Sequence, residues 1–284
     1  MAITDYSNRL QALEQDAHLL ICDYCGVETL SIGDIGICSN CECIITTSKQ
    51  NLEGTDHLLL GSLNSILENT AKSNYGAVVE TYNGLIAERK LPQFLYAAAL
   101  SHIKYSNHEI TLINYLKPGF MDDNTVHRNN AAKLASSAKK LLTKAIKMAK
   151  DELAESKGSM NLQYTLFLAQ LKMNMLRASK SSLDELKKLA SDTTQGINNE
   201  YVYNYASMIF EAKREKYDSV TKIAKSLMLR ESFSINAYYY TALAFFKERK
   251  LADAKALLDL LNNKISRNES LEALSFEVDY QIST

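Results

Sequence analysis

Proline and glycine are nearly missing from this chain, at 2 and 10 residues among 284. Sandwiches and α/β folds need many tight turns, which those two residues usually supply. Their scarcity argues against a turn-rich fold and points to long helices with short connections. Tryptophan is absent. Neither charge is in excess: 32 basic residues face 33 acidic ones, a net charge of −1. That removes any global electrostatic reason to bind nucleic acid. No apolar run approaches the roughly 20 residues that span a bilayer. Asp5, Arg9, Glu14 and Asp16 interrupt the segment where a signal-peptide core would stand, so a cytoplasmic protein is expected. Hydrophobic residues at 46% and charged residues at 23% argue against disorder and suffice for one large domain or two modest ones.

Motifs of chemistry are equally scarce. No glycine-rich phosphate loop of the dinucleotide or P-loop type occurs, and no Gly-x-Ser-x-Gly elbow. His108 and Glu109 open a metalloprotease-like string, but Leu112 stands where its second histidine belongs. His18, His57, His102, His108 and His127 show no ligand-like spacing beyond the six-residue step from His102 to His108. No catalytic residue is assigned, and a non-enzymatic protein is expected.

The cysteines break this uniformity. All five lie between Cys22 and Cys43, and residues 44–284 have none. Two Cys-x-x-Cys knuckles, Cys22/Cys25 and Cys38/Cys41, are separated by twelve residues. In a reducing compartment such a cluster reads as metal ligands before disulfides. Two knuckles facing each other offer four thiolates in a tetrahedron, the set that zinc prefers. Gly26 follows the first knuckle and can take the positive φ such turns often need. Val27, Leu30, Ile32, Ile35 and Ile37 are strand-like, with Gly33-Asp34 as a hairpin turn.

Residues 20–46 thus resemble a zinc ribbon, which implies one structural Zn²⁺ held by Cys22, Cys25, Cys38 and Cys41. Cys43 is an alternative fourth ligand in place of Cys41. Iron in a rubredoxin-like site, a disulfide or a redox pair are the other readings. A closed four-thiolate zinc site does not catalyse; in so small a module it supplies the fold. Residues 1–50 carry seven carboxylates against Arg9 and Lys49. Phosphate would be repelled there, and the ribbon reads as a capping or docking element.

From about Asp56 onward the apolar period is helical. At an offset of 34 residues, Tyr205 falls on Tyr239, Lys213 on Lys247, Lys216 on Lys250 and Leu227 on Leu261. Each unit reads as helix, short lysine-containing turn, second helix. That period and layout resemble the tetratricopeptide repeat. Two more units look related. His57–Ala71 is followed by a helix Tyr75–Arg89 that Pro92 stops. Leu162–Arg177 is followed by Lys180-Ser181-Ser182 and a helix from Leu183, with Ser182 and Glu185 as a capping box.

The expected fold is mainly α: an α-solenoid of antiparallel helix pairs, tetratricopeptide-like, with a small N-terminal zinc-ribbon β module. The expected division is a helix in 1–19 (Ile3 to Leu19, with Leu10, Leu13 and Ala17 inward), the ribbon in 20–50 and the repeats in 52–284. An unrelated helical-pair array remains the alternative for the repeats.

Two surfaces are candidates for partners. Between the units, a helix Phe94–Leu116 precedes a long helix from Val126 to about Glu155. Its apolar stripe is Leu134, Ala138, Leu141, Leu142, Ala145, Met148 and Ala149. Residues 124–150 carry Arg128, Lys133, Lys139, Lys140, Lys144, Lys147 and Lys150 and no carboxylate. Lys133, Lys140, Lys144 and Lys147 fall on one side. A solvated face, an acidic protein, or nucleic acid or lipid all fit it. The resemblance also implies a groove lined by first helices, where Tyr203, Phe210 and Tyr240 lie off the core stripe and are candidate anchors. Protein partners are expected; nucleic acid is the less favoured alternative, through helix 128–150 and the ribbon. Oligomeric state is left open.

Overall fold

The computed structural model describes residues 6–8, 11, 15, 17–32, 35–46, 57–115, 121–156, 158–191, 198–228, 233–234, 236–262 and 269–283. The N-terminal helix expected for 1–19 falls largely outside them, as does the Gly33-Asp34 turn. Four short strands come first: β1 His18–Ile21, β2 Glu28–Ile32, β3 Ile35–Ile37 and β4 Ile44–Thr46. Then come α1 His57–Ala71, α2 Tyr75–Glu88, α3 Pro92–Tyr115, α4 Met121–Glu155, α5 Met160–Lys172, α6 Leu176–Ser191, α7 Asn198–Lys213 and α8 Tyr217–Met228. The two-residue strand β5 Phe233–Ser234, α9 Asn236–Lys247, α10 Leu251–Asn262 and α11 Glu269–Ser283 complete the order.

The helix pairs share one connection. After α1, α5, α7 and α9 the chain turns through a left-handed residue: Ser73, Asn174, Glu215 and Arg249, with φ between 55° and 62°. The next residue donates its N–H back five positions: Asn74 to Asn69 O, Met175 to Gln170 O, Lys216 to Glu211 O and Lys250 to Phe245 O, at 2.8–3.0 Å. This is a Schellman closure. The carbonyls of the same four residues then accept the first bond of the following helix, from Val78, Ser179, Val220 and Ala254. Four hairpins are therefore closed by one device, at the four places where repeat units were expected. None uses glycine. A left-handed non-glycine residue costs on the order of 1 kcal/mol, which the closed carbonyls and the packed pairs offset. The mainly helical, repeat-built architecture is thus as expected.

Three local expectations are corrected. The second hairpin turns at Asn174, not at Lys180-Ser181-Ser182. Ser182 lies inside α6 and is buried, and the capping serine is Ser159, whose side chain accepts from Leu162 N at the start of α5. Pro92 does stand where α2 has ended, but it is itself the first residue of α3, a position that loses no hydrogen bond. His18–Ile21 is a strand, so helix does not run to Leu19.

The chain divides into two compact units. One contains residues 1–22, 27–53 and 180–284; the other contains 23–26 and 54–179. In the second, α3 is central: Phe94 to Ala99 are each at most 2% exposed. It packs on α2, α4 and α5. In the first, α7 to α11 pack consecutively, and α7 also meets α9, as stacked pairs must to cover their apolar faces. No helix among the described residues is long and apolar enough to cross a membrane.

In the first unit the strands form two small antiparallel sheets. β1 pairs with β2, Leu19 opposite Leu30. β5, from the loop between α8 and α9, adds to the other edge of β2, Ser234 opposite Ser31. β3 pairs with β4, Gly36 opposite Ile45. Among the described residues β2 and β3 share no ladder, although Ser31 Oγ donates to Ile35 O at 3.2 Å. Both edges of β2 are taken, one by a segment about 200 residues away in sequence.

Candidate metal centre

Each knuckle is shaped by its own backbone bonds. Cys22 N donates to Val27 O at 3.1 Å and Cys38 N to Cys43 O at 2.9 Å, the same step in both. Asn40 N and Cys41 N point at Cys38 Sγ, at 3.4 and 3.5 Å. The residue after each second cysteine is left-handed: Gly26 at φ 74° and Glu42 at φ 60°. Gly26 is dictated by this geometry. A Cβ there would stand 3.1 Å from Leu63 O and 3.2 Å from the Leu63 and Leu67 side chains. Gly26→Ala is expected to destabilise by roughly 1–3 kcal/mol from the strained backbone and the crowding, measured by chemical denaturation. An unchanged denaturation midpoint would contradict this reading of Gly26.

The Sγ atoms of Cys22, Cys25, Cys38 and Cys41 lie within 4.8 Å of one another, and all four residues are buried. Cys22 Sγ and Cys41 Sγ are 3.5 Å apart, well beyond a disulfide bond of about 2.05 Å. A tetrahedron with metal–sulfur bonds of about 2.3 Å places its sulfurs roughly 3.8 Å apart. The four thiols therefore fit a metal ion in number, type and spacing. Cys43 is buried too but is not among the four. The histidines make no such group among the described residues. His127 pairs with Glu109, His102 Nδ1 lies 2.9 Å from Ala98 O, and His108 tilts against Tyr75.

The first knuckle packs through Tyr24. Its carbonyl accepts from Tyr82 Oη at 3.1 Å, and its ring meets Phe94 edge-on at 5.5 Å. The second knuckle packs through Glu42. Its carboxylate accepts from Tyr240 Oη at 2.6 Å and Tyr205 Oη at 3.3 Å. Asn236 Nδ2 donates to Cys38 O at 3.1 Å and to Tyr205 Oη at 3.3 Å. The left-handed Glu42 is thus held by tyrosines of the first helices α7 and α9. Burial first, and the Glu42 charge second, push the Tyr239 phenol up to about 12. The neutral phenol is favoured in the fold, so this contribution is complete below pH 10 and is lost as pH rises toward 12. An ultraviolet difference titration against Tyr239→Phe is expected to show that late ionisation; a phenol titrating near 10 would contradict it.

These contacts decide where the expected partner-binding aromatics stand. Tyr240 is half-buried and bound to Glu42. Phe210 is 3% exposed, with Arg214 over its ring, so it belongs to the core rather than to an open groove. Its apolar ring follows the buried side of α7, which is broader than a single stripe. Tyr203 is half-exposed. Lys133, Lys140, Lys144 and Lys147 are all exposed on α4. Sequence reasoning missed Glu42, Tyr205 and Asn236 as site residues.

No family model matches the sequence. No curated protein matches it either. A search of solved structures finds a tetratricopeptide repeat protein from Parabacteroides merdae, with 16% identity, a TM-score of 0.42, and coverage of 80% of this chain and 86% of that one.

Proposed function

We propose that this chain is a non-enzymatic interaction scaffold. Its helical repeats bind a protein segment, and Zn²⁺ held by Cys22, Cys25, Cys38 and Cys41 fixes the ribbon as a cap or second docking site. The observation that carries the scaffold reading is the fourfold recurrence of one helix hairpin with one closing turn. Repeated pairs build extended surfaces rather than a catalytic cleft. The zinc assignment rests on four converging buried thiols and on the preference of that ion for four thiolates. When bound, the ion supplies fold stability to the ribbon. A cytosolic location, where the thiols stay reduced, belongs to the same reading. Tyr203 is retained as a partner anchor, since it is only partly buried on a first helix.

Capture on the immobilised full chain from a lysate of the source organism tests this. One or a few proteins recovered in near-stoichiometric amount, and weakened by Tyr203→Ala, are expected. Recovery of nuclease-sensitive nucleic acid instead would favour the alternative, a transcription-associated protein that uses helix 128–150. Turnover of a small molecule by the pure chain would overturn the non-enzymatic reading.

A further inference from the structure

The lysines of α4 are placed like a recognition strip. Lys133, Lys139, Lys140, Lys144, Lys147 and Lys150 are all exposed. None makes an ion pair among the described residues. The opposite side of the helix is committed to the core through Ala131, Ala138, Leu142, Ala145 and Ala149, so α4 cannot rotate to hide its charge. Between the lysines the helix carries small hydroxyl residues. Ser136 and Thr143 lie among Lys139, Lys140, Lys144 and Lys147 on this open face. Thr143 Oγ1 is already engaged with Lys139 O. The lysine heads therefore carry the chemistry of the strip.

We propose that this face docks an acidic protein segment, and the proposal rests on the scaffold reading above. Three features select that occupant over a polyanion. The strip is finite: Lys133 to Lys150 covers about 26 Å at 1.5 Å per residue. It is also bounded. Asp151, exposed one heptad beyond Lys144, and Glu155 stand on the same side. A nucleic-acid backbone following the helix would meet those carboxylates, whereas a short acidic segment ends before them. Finally, the cations on the strip are lysines, compact point charges without the bidentate fork that arginine offers to phosphate. Lys133, Lys140, Lys144 and Lys147, seven, four and three positions apart, match carboxylates at the same steps on a helix laid alongside.

The test uses the full chain and a synthetic helical peptide of about 20 residues with glutamates at steps of seven, four and three. A second peptide of the same composition has its glutamates clustered at one end. Fluorescence anisotropy is expected to show the spaced peptide binding about tenfold more tightly than the clustered one, and more weakly as salt rises. The exposed double change Lys140→Glu, Lys144→Glu is expected to lose about tenfold or more, and Lys222→Glu, Lys225→Glu on α8 to lose nothing. Equal binding of both peptides, no binding, or survival of binding in the first double variant overturns the proposal. So does tighter binding of duplex DNA or of phosphatidylserine vesicles, lost in the same variant, because the strip would then be a general polyanion site. If the captured partners stay on Lys140→Glu, Lys144→Glu, this site is wrong and the scaffold reading stands. If neither form captures a protein, the scaffold reading itself fails.

Discussion

Cys38→Ser is expected to abolish metal binding and unfold the β region, residues 18–46, while leaving most of the helical circular-dichroism signal in place. The strands are short, three to five residues, and their buried apolar side chains among the described residues are few: Leu20, Ile37, Ile44 and Ile45. That core cannot offset the conformational entropy of ordering such a segment, at roughly 1–2 kcal/mol per residue. A structural zinc contributes on the order of 10 kcal/mol to a comparable module, so the ion decides whether the ribbon folds. The helical hairpins carry their own closures and cores. They should lose only the support that the ribbon gives them: β2 beneath β5, Cys38 O and Glu42 against Asn236, Tyr205 and Tyr240, and Tyr24 against Tyr82 and Phe94. A lowered melting temperature with a nearly intact helical signal at 25 °C is the expected outcome. Loss of most of that signal on substitution or chelation would contradict a division into a metal-held ribbon and self-supporting repeats.

Tyr205→Ala should be the most damaging single change in the repeats, costing roughly 3–5 kcal/mol. Tyr205 is fully buried on α7. Its ring meets Tyr240 edge-on at 6.1 Å, and its hydroxyl donates to Glu42 while accepting from Asn236. Truncation removes a large buried ring and leaves a cavity at the seat of the second knuckle. Tyr205→Phe keeps the ring. Glu42 retains Tyr240 and Asn236 retains Cys38 O, so its cost should be about 1 kcal/mol, the value of one hydrogen bond. Denaturant midpoints for the two variants check this. Equal losses would mean that the hydroxyl, not the packing, carries the position; no loss from Tyr205→Ala would remove it from the core.

What was legible in the sequence was what is local. The Cys-x-x-Cys spacing and Gly26 state the knuckle turns outright. The apolar stripe on α4 and the 34-residue echo between α7–α8 and α9–α10 give the helices, because periods of 3.6 residues survive without tertiary knowledge. The rest depended on distant contacts or on residues used against type. Asn174, Glu215 and Arg249 close hairpins where glycine usually does, so nothing in composition marked the turn at Asn174, and Ser182 with Glu185 looked like a cap. His18–Ile21 is a strand because β2 offers it a ladder, although its neighbours read as helix. β5 has two residues and no pattern of its own; only β2 defines it. Tyr240 looked like a binding anchor because aromatic residues on a first helix suit either a partner or the chain itself. Glu42 decides in favour of the chain.

If Cys22, Cys25, Cys38 and Cys41 close around one ion, the metal content of the chain is fixed. Elemental analysis of protein purified without added metal reads it. One zinc per chain is expected, lost when Cys22 and Cys38 are changed to serine and retained in Cys43→Ser. Iron, or no metal with oxidised cysteines, would contradict it and return the four sulfurs to redox chemistry.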